Sequence, residues 1–528
     1  MSSQPPGASI GRRMGIAAAI LSVSVLLSRV LGFLREAVIA YAHGASAATD
    51  AYYAAFTLPD LMNYFLAGGT LSITFIPLFS AFVAANDEEG GWRLFSTVAT
   101  TMGTVLVFFT IALELAAPYI VPWLVPGFDD PAQLALAVEM TRIVIPAQLC
   151  FYFGGLLQAT LFVREIFWPA AVAPLIYNVC IIVFGIALDP WLGIRGFSVG
   201  VVVGAVLGPL ALPLWAARHE VKFSFRFAPT DPGFRQFLLL TLPLMLGVGL
   251  VTVDEWLLRY FGSQHAEGAI TWLNNSRKLM LVLFAVIGQA AGQAALPFLT
   301  RLHHEGRDEE MAQMLATSVG RVLFLAIIGG AALAVAADPI VWVIFRRGAF
   351  AAHDSATTAT LLVCFAAGLG AWAAQTMAVR GFYARKDTLT PMLVASTVVV
   401  FAVPIYLFLD EAYGIVGLAV ASSIGMTINA TATIATYRWR TRDLPLRPIL
   451  GAIGRGTLIA AACGVASYAA GLGVRRLLPP LDFWTNVALL GAQGAAFAAV
   501  LLVVAALVRP VELEFVSARV RSRLSREA

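Results

Sequence analysis

Residues 14–36 read MGIAAAILSVSVLLSRVLGFLRE. No residue from Met14 to Ser28 is charged, and the run as a whole exceeds the roughly 20 residues a helix needs to cross the hydrocarbon layer. A secretory signal would have a shorter apolar core followed by a small-residue cleavage site. This run follows Arg12-Arg13, is long, and contains Arg29. It is therefore expected to stay as a first membrane helix.

Outward from that stretch the same pattern recurs. Of 528 residues, 59% are hydrophobic and 12% charged, with a mean hydropathy of +0.82. A soluble chain carries about 25% charged residues. Half that charge cannot cover the surface of a soluble protein of this size. The composition excludes a soluble enzyme, a disordered scaffold and a nucleic-acid-binding protein. Apolar runs between charged or turn-rich breaks fall at 15–36, 53–84, 94–121, 134–162, 168–188, 196–217, 235–260, 268–298, 316–345, 358–383, 389–409, 413–437, 452–474 and 484–508. The expected fold is an all-α polytopic membrane protein of about fourteen transmembrane helices.

The longest polar break, Arg218 to Arg235, contains Pro229 and Pro232 and separates six spans from the next six. Two six-helix lobes are expected at 1–228 and 229–445, followed at 446–528 by two additional membrane helices and a basic tail. Six plus six resembles transporters in which two bundles rock about a midplane site. No loop is long enough to hold a soluble catalytic domain.

Loop charge sets the expected orientation. One set of loops holds Arg12 and Arg13, the Arg218–Arg235 group, Arg301 and Arg307, Arg385 and Lys386, Arg438 to Arg447, and the tail arginines from Arg519 to Arg526. The other set is poor in Lys and Arg apart from Arg346-Arg347 and Arg475-Arg476. By the positive-inside rule both termini lie in the cytoplasm. The basic tail also suits an anionic lipid surface, or is a solvated helical end.

Cys150, Cys180, Cys364 and Cys463 each sit inside an apolar run, and none forms a CxxC pair. They read as small packing residues rather than disulfides or metal ligands. His303-His304 has no partner set of the metal-binding kind. No metal or cofactor is expected, and no catalytic constellation is present.

Charges inside spans need a reason, because each costs at least about 2.5–3.5 kcal/mol at the bilayer centre. The first span carries two, Arg29 and Arg35. Six residues separate them, roughly 9 Å along the axis and some 120° away from superposition. Two arginines cannot neutralise each other. One reading is a cationic cavity for a phosphate-bearing substrate, since guanidinium forks match phosphate oxygens. In the other, Arg35 pairs with Glu36 or snorkels while Arg29 finds a carboxylate elsewhere.

The eighth span opens with Asn274-Asn275-Ser276-Arg277-Lys278. Further along, Gly288 and Gly292 are four apart, as are Gln289 and Gln293. One face is thus small and its neighbour amide-bearing. The glycines read as helix packing; the glutamines line a polar cavity or bond an adjacent helix. Gly200, Gly204 and Gly208 repeat the spacing and read as packing. Asp254 and Glu255, with Arg259 one turn on, form either an internal ion pair or a site for a coupling cation.

Between Ser28 and Pro77 the chain contains SRVLGFLRE, HGASAATDAYYAAF and LPDLMNYFLAGGTLSITFIP. These resemble the N-terminal signature of the MurJ (MviN) family, the lipid II flippases of peptidoglycan synthesis. GFYARKDTLTP at 381–391 and LVPGF at 124–128 fit as well. The resemblance implies a member of the MOP exporter superfamily. Such proteins have two lobes around a cationic cavity and a lipid-tail groove on the last two helices. It implies alternating access that moves an undecaprenyl-pyrophosphate-linked sugar-peptide to the outer leaflet, driven by ion gradients or membrane potential without ATP. Arg29 and Arg35 match the family's first-span arginines, and Asp50 matches the aspartate of its ATDA segment, a position bearing on gating or charge balance, a role extended to Gln289 and Gln293.

Three positions depart from the family pattern. Asn63 and Tyr64 stand where second-span arginines are usual, and Gly68 where glutamate is usual. The eighth-span arginine aligns with Arg277 or Lys278, which would together replace the lost charge. The expected substrate-binding set is therefore Arg29, Arg35, Arg277 and Lys278. The expected partners are a lipid-linked oligosaccharide, lipid II, the surrounding membrane lipids and cell-wall synthesis enzymes, with no nucleic acid. The alternatives are a flippase for another isoprenoid-linked glycan, a cation-coupled exporter, and a transport-inactive cell-wall scaffold. A membrane-embedded glycosyltransferase would need acidic outer loops with partners; Asp129-Asp130 and Asp410-Glu411 are short and lack them.

Overall fold

Lipid offers no hydrogen bonds, so an apolar segment must satisfy its backbone N–H and C=O groups within itself, and a helix does this. In the computed structural model every described element is helical. The structure describes residues 6–66, 74–246, 250–478, 482–508 and 510–513. Within these residues, 10 helical stretches are long and apolar enough to cross a membrane. Their outward faces agree with lipid contact. In the helix Glu88–Leu124, Phe108, Leu115, Tyr119 and Trp123 are exposed, Trp123 to 81%. Such a stripe would be an aggregation liability in water, and it ends on the aromatics favoured at the membrane interface.

The N-terminal compact unit spans Met1–Gly247. It contains α1 (Pro6–His43), α2 (Ala47–Ala54), α3 (Thr57–Leu66), α4 (Ile76–Ala84), α5 (Glu88–Leu124), α6 (Pro131–Val144) and α7 (Ala147–Val163). It continues with α8 (Trp168–Leu192), α9 (Arg195–Ala205), a π turn at Val206–Ala211, α10 (Leu212–Ala217) and α11 (Pro232–Leu246). Ser46 caps α2 in a capping box with Thr49, and Asp87 caps α5 through Gly90 N at 2.8 Å. Both satisfy N–H groups that a helix start leaves unpaired.

Gly200, Gly204 and Gly208 do pack, as their spacing indicates. A Cβ there would lie 2.8 Å from Ile181 Cα, 2.8 Å from Tyr177 O and 2.5 Å from Ala173 O, all on α8. The polar break after α10 is held rather than loose. Ser224, Arg226 and Ala228 donate their backbone N–H groups to Ser96, Thr100 and Thr101 of α5, at 3.1, 3.2 and 3.3 Å. This hydroxyl ladder, with α11 packed on α3 and α5, carries the N-terminal unit past residue 228.

The C-terminal unit spans Val248–Ala528. It holds α12 (Leu250–Gly262), α13 (Ala269–Phe284), a π turn at Ala285–Gln289, α14 (Ala290–His304), α15 (Asp308–Val335) and α16 (Ala337–Phe345). After these come α17 (Ala352–Ala384), α18 (Leu389–Thr441), α19 (Arg447–Leu477) and α20 (Phe483–Val508). The run expected as one span at 316–345 is two helices. The Pro339 ring has no N–H for the carbonyl of Val335 and clashes with it, so α15 ends there.

The 53-residue α18 is a folded hairpin, containing the two spans read at 389–409 and 413–437. Gly414 (φ 57°, ψ −140°) makes the turn in a region that only glycine enters without strain. Beyond it, Gly417 lies against Leu409, and an added Cβ would come 1.8 Å from Leu409 O. Gly417→Ala should therefore cost at least the roughly 1–3 kcal/mol of an overpacked core. The measurement is the thermal midpoint in detergent, with Gly454→Ala as a neutral control, since nothing lies within 4 Å of a Cβ there. The last two helices join the unit through α15. Phe324 and Ile328 pack on Ala452, Ile459, Cys463 and Phe497, while Ser467 Oγ donates to Gln493 O at 3.0 Å.

Candidate functional site

In α1, the residues Ser24, Ser28, Gly32 and Arg35 share one face at helical spacing, and that face meets α8. Ser24 Oγ donates to Ala171 O, Asn178 Nδ2 donates to Ser28 Oγ at 3.5 Å, and a Cβ on Gly32 would sit 3.6 Å from Asn178 Oδ1. Arg35 completes the seam. Its Nη1 donates to Asn178 Oδ1 at 3.2 Å, and its Nε and Nη2 donate to Glu36 Oε1 at 3.1 and 2.6 Å. Tyr53 of α2 donates to the other oxygen, Glu36 Oε2, at 2.6 Å. Glu36 is 1% exposed and Arg35 19%. The structure thus gives Arg35 its own carboxylate.

Arg29 lies off this seam. It is half-buried and, seven residues before Glu36, shares the Glu36 side of α1 rather than the Arg35 side. The two arginines grouped by sequence are therefore separated by packing. Asp50 is buried in the first turn of α2, where the helix N-terminus favours a carboxylate. Asn63 and Tyr64 are half-buried on α3; Gly68 lies outside the described residues.

In the C-terminal unit, α12 and α13 build a second network. Arg277 Nη2 is 3.1 Å from Asp254 Oδ2, Arg277 Nη1 is 3.1 Å from Glu255 Oε2, and Arg277 Nη2 donates to Val251 O at 3.1 Å. Glu255 Oε1 also accepts from Arg259 Nη2 at 2.6 Å. Tyr406 of α18 donates to Asp254 Oδ1, and the guanidinium lies 5.5 Å from the Trp372 ring centre. The ion pair read from Asp254, Glu255 and Arg259 is present, with Arg277 as its centre. Arg277, expected as a substrate clamp, is buried among carboxylates, which a guanidinium in a low-dielectric interior requires. Lys278 borders a cavity of about 80 Å³ beside Glu255, Arg259 and Arg277, well under the ~300–1,000 Å³ of ligand pockets.

Gln289 and Gln293 line a larger cavity of about 320 Å³, together with Trp372, Gln375, Thr376 and Arg380 of α17. Gly288 and Gly292 bring the helices together there. A Cβ on Gly288 would meet Ala373 Cα at 3.1 Å, and one on Gly292 would meet Thr376 Cγ2 at 3.2 Å and Arg380 Nε at 3.5 Å. Arg380 is a residue sequence reasoning passed over. It sits near the end of an apolar span, and its charge inside that span was the signal.

Two all-helical units rich in lipid-facing apolar surface, with guanidinium–carboxylate networks buried inside them, define a polytopic membrane protein of the transporter type. Solved structures share the fold. One titled "Lipid II flippase MurJ, inward closed conformation" matches with a TM-score of 0.77 at 19% identity, over 93% of this chain and 100% of that one. An inward-facing MATE multidrug transporter of the MOP superfamily matches with a TM-score of 0.67 at 15% identity, over 81% of this chain and 98% of its own. The family model described as "Lipid II flippase MurJ" matches residues 39–477. The protein named "Probable lipid II flippase MurJ" from Rhizobium meliloti (strain 1021) is 32% identical, over 85% of each chain. The chain belongs to the MurJ family.

Proposed function

We propose that this protein moves lipid II, an undecaprenyl-pyrophosphate-linked peptidoglycan precursor, from the inner to the outer leaflet of the bacterial cytoplasmic membrane by alternating access. The observation that carries the reading is the family match over residues 39–477, which runs through both units of the fold. Both termini face the cytoplasm, as the Lys/Arg distribution of the loops requires. No bond is made or broken. The cycle is driven by differential binding of headgroup and ion to the two states, and cell-wall synthesis enzymes are the partners that supply and consume the substrate.

We assign the basic residues different tasks. Arg29, off the α8 seam, is assigned to the pyrophosphate, while Lys278 lines the small cavity beside Glu255, Arg259 and Arg277 in the C-terminal unit. Arg35 and Arg277, each bound to carboxylates, position the helices that carry those groups. Complementation of a strain depleted of its own flippase tests this. The wild-type chain is expected to restore growth, and Arg29→Ala to abolish it while leaving the folded amount of protein in the membrane unchanged. A chain that inserts normally and never restores growth overturns the reading in favour of a scaffold. Native mass spectra showing a different lipid-linked glycan, and no lipid II, would overturn the substrate.

A further inference from the structure

The cavity between α14 and α17 holds two groups without partners. Arg380 Nε is buried and lacks a hydrogen-bond acceptor, and no carboxylate lies within ion-pair distance of the guanidinium among the described residues. The guanidinium lies 5.7 Å from the Tyr383 ring centre. Gln375, 8% exposed, has its Oε1 buried without a donor. A buried polar atom left unpaired costs about 1–3 kcal/mol, and a charged one costs more. Both residues line one cavity from a single helix, five positions apart, and an occupant that brings an acceptor to Arg380 and a donor to Gln375 would satisfy both.

We propose that this cavity binds the C-terminal residue of a peptide, with its carboxylate on Arg380 and its amide N–H on Gln375 Oε1. The proposal rests on the lipid-linked sugar-peptide reading above and assigns the peptide end of that headgroup to the C-terminal unit. Charge selects the ligand. Among the described residues Arg380 is the only ionisable one lining the cavity, so a single positive charge meets the occupant. A carboxylate balances it and fits the planar guanidinium fork, whereas a pyrophosphate would bring excess negative charge. Size agrees, because about 320 Å³ is at the small end of ligand pockets and holds one or two residues, not a whole glycopeptide. Gln289 and Thr376 supply neutral polar groups at the rim, and Trp372 an apolar wall.

The test uses the full-length protein in lipid nanodiscs and two soluble probes, N-acetyl-alanyl-alanine and its C-terminal amide, titrated by saturation-transfer NMR. The acid is expected to bind at least tenfold more tightly than the amide. Arg380→Ala and Gln375→Leu should each weaken the acid by tenfold or more, with Arg380→Lys retaining part of the affinity. Undecaprenyl pyrophosphate binding should be the same in wild type and Arg380→Ala, which also reports that the variant is folded. Equal binding of acid and amide, no binding of the acid, or an Arg380→Ala variant with unchanged affinity for the acid would each overturn the assignment. Equal loss of undecaprenyl pyrophosphate would make Arg380 a phosphate ligand instead, and would overturn it too. Arg380-dependent binding of the acid by a chain that fails complementation would leave the pocket standing and remove the flippase reading.

Discussion

Replacing Arg277 by methionine is expected to destabilise the protein by roughly 3–5 kcal/mol, the cost of leaving one member of a buried ion pair alone. Asp254 and Glu255 both face the guanidinium at 3.1 Å. Asp254 has side-chain exposure of 4% and Arg277 of 6%, so water cannot substitute for the missing charge. Glu255 keeps Arg259 and is compensated, which makes Asp254 the exposed liability. The double variant Arg277→Met with Asp254→Asn removes both charges and should recover most of the loss, since Tyr406 can still donate to the asparagine oxygen. Thermal midpoints of the two variants in one detergent read this coupling directly. If Arg277 acts on substrate rather than on Asp254, the double variant will be no more stable than the single one. Growth in the complementation assay then separates the roles: a positioning arginine is rescued by the double variant, a substrate clamp is not.

The second large effect is expected at Glu36. Glu36→Ala strips Arg35 of both its short hydrogen bonds to carboxylate and leaves the Tyr53 hydroxyl without its acceptor. With Glu36 1% exposed, a loss again of about 3–5 kcal/mol is expected. Glu36→Gln should cost less, because the amide oxygen still accepts from one donor. Arg35→Met with Glu36→Gln should be milder than Glu36→Ala, since no unpaired charge remains. Proteinase K digestion of membranes, scored at the α1–α2 region, would follow the loosening. Equal resistance of Glu36→Ala and wild type would show that Arg35 draws its compensation from elsewhere.

Much of the architecture was open to reading along the chain. Run length and loop charge are one-dimensional properties, and a helix in lipid satisfies its own backbone, so each span can be recognised alone. Glycine spacing was legible for the same reason: Gly200, Gly204 and Gly208 line one face whatever the partner is. The turn at Gly414 and the break before Pro339 were less so, because both depend on what the neighbouring backbone does. The site was only partly legible. A local reading anticipated the Glu255–Arg259 pair one turn apart, and it offered Glu36 as one of two partners for Arg35. It had no means to find Asn178, 143 residues away from Arg35, or Tyr406, 152 away from Asp254.

By itself, the sequence determined that this chain is helical, that it lies in a membrane, and which few charges are placed inside the apolar spans. Those follow from composition and from the cost of exposing backbone and charge to lipid. Only the tertiary structure decided which of those charges are already neutralised. Arg35 and Arg277 meet carboxylates, while Arg380, one more charge at the end of an apolar run, has no counter-ion among the described residues. A guanidinium becomes a clamp or a strut according to what packs within about 3–4 Å of it, and that distance is set by helices far apart in the chain.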